Sequence, residues 1–174
     1  MKTLVESRYM QSKFEVNGRS LQITTDPFTR LLDILRDEYD LVAAKEGCGK
    51  GECGSCTVFM NGRRVNACLI PALQLNGSRI YTLEGIQNWP VFEAVEHIFI
   101  QQGAVQCGFC IPGMVMAALA FINEEDPPFT ADQIKPGIAG NMCRCTGYTK
   151  IIQTLEHIGH DQKLIRKIKK DWPA

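Results

Sequence analysis

The sequence predicts an α+β protein whose N-terminal part is a small mixed sheet and whose C-terminal part is helical. Two Asn-Gly pairs, Asn17-Gly18 and Asn61-Gly62, each separate two short segments of strand-forming residues, which is the strongest short signal for a β-hairpin. Beyond Pro90 the alternation typical of strands ends, and apolar residues recur at helical spacing. We place the boundary between the two parts at about residues 84–90.

The N-terminal part is predicted to contain two hairpins, one helix and a last short strand. The predicted strands are residues 12–16, 19–23, 57–60, 63–66 and 78–83. The first four form two hairpins, each closed by a type I′ turn at its Asn-Gly pair. Asp26-Pro27 begins a helix-like run whose apolar residues lie on one side. Two hairpins around one helix indicate a mixed sheet with one covered face.

Four helices are predicted in the C-terminal part. They cover residues 91–102, 112–123, a segment that begins at Thr130, and 149–158. The second of these is apolar nearly all round, so we expect it at the buried centre of a bundle. Thr130 and Gln133 have the spacing of a capping box. Pro136 is expected to shorten or kink the helix that this box begins.

Composition and charge exclude several classes of protein. Of 174 residues, 45% are apolar and 22% charged, and 19 basic residues balance 19 acidic ones, whereas nucleic-acid-binding domains are usually strongly basic. The longest nearly apolar run, 111–122, has 12 residues, and a membrane span needs about 20. The first ten residues lack the apolar region of a secretory signal. We therefore expect a soluble cytoplasmic protein without nucleic-acid partner, membrane span or disulfide framework.

Eight cysteines fall into two sets of four. The first set is Cys48, Cys53, Cys56 and Cys68, and the second is Cys107, Cys110, Cys143 and Cys145. The first set has the C-x4-C-x2-C…C spacing of a plant-type [2Fe–2S] site. Four glycines within residues 47–54 favour a closely wrapped loop, because glycine adopts positive φ and lets backbone N–H groups approach sulfur. The first set therefore predicts a [2Fe–2S] cluster.

Structural zinc is the alternative for both sets. Zinc sites usually pair two C-x2–4-C knuckles, which the first set fits less well. In the second set, Cys107 and Cys110 alone would suit a zinc knuckle or a dithiol redox pair. Cys143 and Cys145 are unusual for zinc, since a one-residue spacer crowds two tetrahedral ligands. By itself the second set predicts a metal site whose kind stays open.

The C-terminal segment 161–174 is a basic, amphipathic tail. It contains five basic and two acidic residues. Its apolar residues, which share one side of a helical wheel, are Leu164, Ile165, Ile168 and Trp172. A strip that binds nucleic acid or lipid, a solvated helix and a docking strip for a partner subunit are the alternatives. We favour docking on a partner, because the rest of the chain offers no other basic patch.

Three stretches resemble a known family. They are EGCGKGECGSCTV at 46–58, QCGFCIPGM at 106–114 and GNMCRCTGYTKI at 140–151. They resemble the small iron–sulfur subunit of the molybdenum hydroxylases, the family of xanthine dehydrogenase, aldehyde oxidoreductase and carbon monoxide dehydrogenase. The resemblance covers about residues 12–160. It implies a β-grasp, plant-ferredoxin-like domain over 1–86 and a four-helix bundle domain over 87–160, each with one [2Fe–2S] cluster, followed by the tail.

The same resemblance implies ligands and neighbours for both clusters. The first set of cysteines binds an outer cluster near the FAD of a flavoprotein subunit. The second set binds an inner cluster near the molybdenum pterin cofactor of a large subunit, where Gln106 and Cys145 correspond to the two positions that contact the pterin. Electrons then run from molybdenum through the inner and outer clusters to FAD. Substrate oxidation belongs to the large subunit, so no catalytic residue is expected here.

The sequence thus predicts the electron-transfer subunit of an oxidoreductase complex, a heterotrimer or its dimer. We favour a xanthine or purine dehydrogenase. The alternatives within the family are nicotinate, aldehyde, aromatic acyl-CoA and carbon monoxide dehydrogenases. Outside it, a free-standing ferredoxin and a zinc-stapled interaction module are less favoured, since a mobile carrier needs only one exposed cluster.

Overall fold

The N-terminal part of the chain forms one five-stranded mixed sheet. The computed structural model describes residues 9–172, so the ends of the predicted segments 1–86 and 161–174 lie outside the described residues. The strands are β1 Met10–Val16, β2 Arg19–Thr25, β3 Thr57–Met60, β4 Arg63–Asn66 and β5 Arg79–Tyr81. Their order in the sheet is β2-β1-β5-β3-β4. Strand β5 pairs parallel with β1 and antiparallel with β3, and so joins the two hairpins.

Both predicted hairpins and their turns are confirmed. The two residues of each Asn-Gly pair have positive φ, at 52° and 78° for Asn17-Gly18 and 50° and 76° for Asn61-Gly62, as a type I′ turn requires. Each turn asparagine also holds one end of β5. Asn17 Oδ1 accepts the backbone N–H of Thr82 at 2.9 Å, and Asn61 Oδ1 accepts that of Arg79 at 2.9 Å. The turns therefore close the hairpins and fix the strand between them.

The helix-like run after the first hairpin begins later than the sequence predicts. The carboxylate of Asp26 accepts the N–H of Phe28 at 2.9 Å and its carbonyl accepts that of Thr29 at 3.0 Å, which makes a turn. Helix α1, Leu31–Asp33, follows and continues as a π-helical turn, Ile34–Glu38. The apolar side chains of this segment are buried against the sheet as predicted; they are Leu31, Leu32, Ile34 and Leu35.

Helices dominate the C-terminal part. They are α2 Leu83–Ile86, α3 Phe92–Gln101, α4 Ile111–Glu124, α5 Ala131–Ile138, α6 Thr149–Gly159 and α7 Gln162–Lys170. Every residue from 113 to 122 in α4 is buried, which confirms its predicted central position. The capping box at Thr130 and Gln133 is present. Helix α5 continues through Pro136 but ends two residues later, so it is as short as expected.

The basic tail folds onto its own chain. Asp161 caps helix α7, because its side chain accepts the backbone N–H groups of Lys163 and Leu164, both at 3.0 Å. Leu164, Ile165 and Ile168 are buried in the same core as α4. The prediction that this apolar strip docks on a partner subunit is therefore wrong. A helical wheel identifies the apolar side of a helix but does not show what covers that side. In this protein, α4 and its neighbouring helices cover it.

Trp172 fastens the end of the tail to the sheet. Its ring lies 4.6 Å, centroid to centroid, from that of Phe59 in β3, and its Nε1–H donates to the carbonyl of Gly62 at 3.2 Å. Trp89 lies edge-on to it at 6.5 Å. Phe59 is a strand residue, yet it belongs to the core of the helical part. This aromatic cluster therefore joins the β3-β4 hairpin to the helices.

Two apolar cores result, one between α1 and the sheet and one centred on α4. Among residues 9–172, no helix has both the length and the apolar character needed to cross a membrane.

We expect Trp172→Ala to destabilise the folded chain by about 2 kcal/mol, or roughly 5 °C in Tm, because a half-buried aromatic ring and its hydrogen bond are lost. Thermal unfolding of the iron-loaded protein, followed by circular dichroism, measures this shift. Ile100→Ala is the control, since this side chain is 59% exposed on α3; its Tm should stay at the wild-type value. Equal Tm values for Trp172→Ala and wild type would mean that Trp172 does not stabilise the fold.

Candidate metal centres

The first set of cysteines is brought together by one loop and one short turn. Cys48, Cys53 and Cys56 lie in the loop between α1 and β3, and Cys68 lies in the 3-10 turn Ala67–Leu69 that follows β4. The thiols lie close enough to influence one another's pKa values: Cys53 affects that of Cys48, and Cys68 affects that of Cys56. Cys56 also interacts electrostatically with Cys53. The four predicted ligands are therefore neighbours in space.

Backbone N–H groups surround the first thiol of this loop. Cys48 Sγ accepts hydrogen bonds from the N–H groups of Lys50, Glu52 and Cys53 at 3.4, 3.3 and 3.4 Å. These bonds, led by that of Lys50, lower the pKa of Cys48 to about 6. Positive φ at the glycines of the loop makes the wrapping possible; the angles are 66° at Gly49, 83° at Gly51 and 67° at Gly54. The loop thus favours a thiolate before any metal is considered.

The second pair of this set is buried. Both Cys56 and Cys68 are enclosed by the protein, and burial raises the pKa of Cys56 to about 12. A thiol in such surroundings ionises when a metal cation compensates the charge. The set therefore combines a partly exposed pair stabilised as thiolate by N–H groups with a buried pair that needs a cation.

The second set repeats this division on a different scaffold. Cys107 and Cys110 precede helix α4, and Cys143 and Cys145 lie in the loop between α5 and α6. Cys145 influences the pKa of Cys107, and Cys143 influences that of Cys110, so these thiols are also neighbours in space. The first pair is exposed and the second is buried. Burial raises the pKa of Cys110 to about 12, while the N–H of Phe109 leads the effects that lower the pKa of Cys107.

Two residues that sequence reasoning missed support Cys143. The hydroxyl of Thr146 donates to Cys143 Sγ at 3.1 Å, and hydrogen bonds outweigh the opposing effect of burial, so the pKa of Cys143 is lowered. The phenol of Tyr148 accepts the backbone N–H of Cys143 at 2.9 Å. Tyr148 has a φ of 65°, a conformation that a bulky residue rarely adopts. The hydrogen bond from Cys143 therefore holds Tyr148 in an unfavourable backbone conformation, next to the second set of cysteines.

The donors of each set can be compared with what a [2Fe–2S] cluster needs. Its two irons share four thiolates. Each set supplies four cysteines whose thiols influence one another's pKa values. The residues present therefore fit a [2Fe–2S] cluster in each set.

Gln106 and Cys145 lie at one exposed edge. Both residues are exposed, and Cys107, the neighbour of Gln106, contacts Cys145. Large apolar side chains beside them are also exposed; they are Val105 at 37%, Phe109 at 46% and Met142 at 58%. An edge of this composition is suited to burial against another protein surface.

Two further contacts secure the cysteine loops, and sequence patterns identified neither. Arg30 donates from Nε and Nη2 to the carboxylate of Asp33 at 2.7 and 2.6 Å. It also donates from Nη1 and Nη2 to that of Glu46, at the start of the first cysteine loop, at 2.8 and 3.1 Å. The two loops also meet directly, because the N–H of Met142 donates to the carbonyl of Cys53 at 2.9 Å. Both contacts depend on residues far apart in the chain.

Family models match nearly all of the chain. Residues 6–95 match the model of a 2Fe-2S iron-sulfur cluster binding domain, and residues 82–156 match that of a [2Fe-2S] binding domain. The two matches overlap near the boundary expected from the sequence.

Curated relatives and solved structures give the same picture. The chain is 45% identical over 136 residues to the nicotinate dehydrogenase small FeS subunit of Eubacterium barkeri, covering 78% of this chain and 86% of that one. It is 42% identical over 141 residues to the xanthine dehydrogenase iron-sulfur-binding subunit of Escherichia coli O157:H7, covering 80% and 88%.

The fold is similar to that of quinoline 2-oxidoreductase from Pseudomonas putida 86, with a TM-score of 0.83 and 32% identity over 95% of this chain and 99% of that one. It also matches 19% of the aldehyde oxidoreductase chain of Desulfovibrio desulfuricans ATCC 27774, with a TM-score of 0.79 and 34% identity over 94% of this chain. The chain therefore belongs to the family of small [2Fe–2S] iron–sulfur subunits that transfer electrons in the molybdenum hydroxylases.

Proposed function

We propose that each set of cysteines holds one [2Fe–2S] cluster and that the chain passes electrons between two partner subunits. The first set would hold an outer cluster and the second an inner cluster; the ligands are Cys48, Cys53, Cys56 and Cys68, and Cys107, Cys110, Cys143 and Cys145. The observation that carries this proposal is that the thiols of each set are neighbours, with backbone N–H groups at Cys48 Sγ and the Thr146 hydroxyl at Cys143 Sγ. When bound, each cluster would act as a one-electron carrier, and the protein would hold the clusters and shield them from solvent.

We infer two domains with these roles. The mixed sheet with α1 supports a β-grasp, plant-ferredoxin-like domain over residues 1–86, and helices α3 to α6 support a four-helix bundle domain over 87–160. Separate apolar cores beneath the sheet and around α4 are consistent with this division. The tail 161–174 then belongs to the helical domain, since its apolar side is buried there.

The partners follow from which pairs are exposed. The exposed pair Cys107 and Cys145, with Gln106 and the apolar rim, is suited to a large subunit that carries the molybdenum pterin cofactor. The partly exposed loop at Cys48 is suited to an FAD subunit. A heterotrimer or its dimer, in the cytoplasm, is the assembly that we propose. Gln106 and Cys145 would contact the pterin, with Cys145 serving also as a cluster thiolate.

For the substrate of the complex, we propose an aromatic nitrogen heterocycle, with a xanthine-type purine first. Relatives named for nicotinate and for xanthine stand at 45% and 42% identity, and one named for aldehyde oxidation stands at 36%. Because a further relative, at 40% identity, is also named for xanthine dehydrogenase, nicotinate is the second candidate. Purifying the complex with its native large subunit and recording the bleaching of its visible absorption with xanthine, nicotinate or an aromatic aldehyde tests this choice. Bleaching by the aldehyde alone would contradict it.

The iron-loaded chain is expected to contain about four irons and about four acid-labile sulfides. Cys53→Ser should remove the outer cluster and Cys110→Ser the inner one, so each variant should retain about two irons and a different electron paramagnetic resonance signal. Each variant serves as the control of the other. About one zinc per set in anaerobically purified protein, with no sulfide, would contradict the cluster assignment.

Arg30 should matter for retention of the outer cluster, because it fastens the start of the loop to α1. The hydrogen bond from Arg30 lowers the pKa of Glu46, so the contribution of the pair is full at neutral pH and is lost as the pH falls through that pKa. We expect Arg30→Gln to lose outer-cluster iron to a chelator a few-fold faster at about pH 7, and the difference from wild type to narrow as the pH falls through the lowered pKa of Glu46.

The measurement for Arg30→Gln is the decay of visible absorption after the chelator is added. Arg63→Gln, which removes an exposed arginine of strand β4, is the matched control and should behave as wild type. A rate for Arg30→Gln that equals the wild-type rate at neutral pH would show that the ion pairs do not hold the loop.

Gln106→Ala should leave both clusters assembled, since it removes no thiolate. In the assembled complex it should slow substrate-driven cluster reduction or lower the molybdenum content, because a hydrogen bond to the pterin worth about 1–3 kcal/mol is lost. Rapid-freeze spectroscopy and metal analysis measure the two effects. Gln101→Ala, at the exposed end of α3, is the control. Wild-type rates and full molybdenum content would exclude a role for Gln106 at the cofactor.

A further inference from the structure

The two cysteine loops touch at a contact that neither set needs for its ligands. The backbone N–H of Met142 donates to the carbonyl of Cys53 at 2.9 Å. Cys53 belongs to the first set, and Met142 precedes Cys143 of the second. The connection between the two sets therefore crosses a single hydrogen bond and one residue of backbone.

The buried side chain of Asn141 stabilises the Cys53–Met142 contact through hydrogen bonds. Its side chain is buried, and its Nδ2 donates to the carbonyl of Gly54 at 2.9 Å and to the hydroxyl of Thr57 at 3.2 Å. The hydroxyl of Thr57 in turn donates to the same Gly54 carbonyl at 2.7 Å. Asn141 therefore ties the residue before Met142 to the residue after Cys53, on the other loop.

The backbones of the two loops and of α4 approach closely at this point. A Cβ atom at Gly113, in the first turn of α4, would collide with the carbonyl oxygen of Gly54. A Cβ atom at Gly54 would collide with the carbonyl oxygen of Gly140 and would lie 2.6 Å from Nδ2 of Asn141. Glycine at these two positions lets the loops lie close together, and the hydrogen bonds of Asn141 set their register.

We propose that Asn141 is the positioning residue for electron transfer between the two [2Fe–2S] clusters, because it holds the Cys53–Met142 contact in place. This inference rests on the proposed function, in which both sets hold clusters. The step is the transfer of one electron from the reduced inner cluster to the oxidised outer cluster, and no bond forms or breaks. Asn141 ligates no iron; it fixes the separation and orientation of the two loops that do.

Asn141→Asp tests the proposal, since it keeps the size of the side chain but removes the donor. Asn66→Asp is the matched control. Asn66 Nδ2 donates to the carbonyl of Gly51 at 2.9 Å, so it holds the same first loop. Its Oδ1 accepts from the Thr57 hydroxyl at 3.5 Å, and aspartate keeps that acceptor, so the variant leaves the partner of Asn141 in place. Thr57→Val is a second test variant, because it removes the hydroxyl partner of Asn141 without introducing charge. All variants are prepared as full chains with both clusters.

Three measurements separate positioning from general stability. Iron analysis with electron paramagnetic resonance of the half-reduced and fully reduced protein reports cluster assembly and the magnetic interaction between the clusters. Hydrogen exchange of the Met142 amide reports the contact itself. Electron transfer between the clusters after rapid photoreduction reports the consequence.

We expect Asn141→Asp and Thr57→Val to retain both clusters, to lose magnetic splitting and to transfer electrons between clusters more slowly than wild type. Exchange of the Met142 amide should accelerate roughly tenfold to a hundredfold in Asn141→Asp, as expected for loss of buried hydrogen bonds. Asn66→Asp should match wild type in all three measurements.

Wild-type splitting and transfer rate in Asn141→Asp would overturn the proposal. If Asn141→Asp fails to assemble both clusters, wild-type splitting and a wild-type transfer rate in Thr57→Val would overturn the proposal. An unprotected Met142 amide in the wild-type protein would overturn it as well, even with both clusters present. Wild-type protein without two [2Fe–2S] signals would instead refute the proposed function, so the two failures are distinguishable.

Discussion

The constraint on which this structure depends is that eight thiols from distant parts of the chain must meet as two groups of four. Thiolates repel one another and ionise poorly when buried, so each group needs donors nearby and a metal to compensate its charge. Three backbone N–H groups at Cys48 and the Thr146 hydroxyl at Cys143 provide such donors. The positive-φ glycines of the first loop and the strained Tyr148 of the second make those arrangements possible.

The scaffold around each group is stiff for the same reason. A ligand loop without its own core keeps its shape only if both of its ends are fixed. The first loop runs from α1, which is buried against the sheet, to β3. In the sheet, β3 lies between β5 and β4 and pairs with both. The second group is fixed at one end by helix α4, the most buried helix of the protein, and at the other by the loop that Tyr148 braces. The two apolar cores thus fix the ends of the loops that carry the cysteines.

How much of this the sequence could predict depends on how local each feature is. The hairpins and the capping box at Thr130 were predictable, because an Asn-Gly turn or a Thr-x-x-Gln box is decided within a few residues. The way in which the thiols of each group approach one another was not predictable, because spacing tells which cysteines belong together but not how they meet in space.

Contacts between distant segments left no signal in the sequence. Arg30 and Asn141 are ordinary polar residues until the fold brings Glu46 and Gly54 beside them. The tail shows the opposite failure: its apolar side was evident, but the sequence did not reveal that α4 already covers it.

The thiols within each group differ in how far they are exposed. In the second group, exposed Cys107 and Cys145 face away from the body of the protein, while buried Cys143 adjoins Met142 and the contact with the first loop. In the first group, Cys53 lies at that contact and partly exposed Cys48 lies in the glycine-rich stretch of the loop. An exposed thiol pair is open to a partner surface, whereas a buried one is shielded from water and from unwanted acceptors. A carrier built as we propose would accept an electron at one surface and release it at another, and the proposed role of Asn141 is to hold the Cys53–Met142 contact that lies between the two groups.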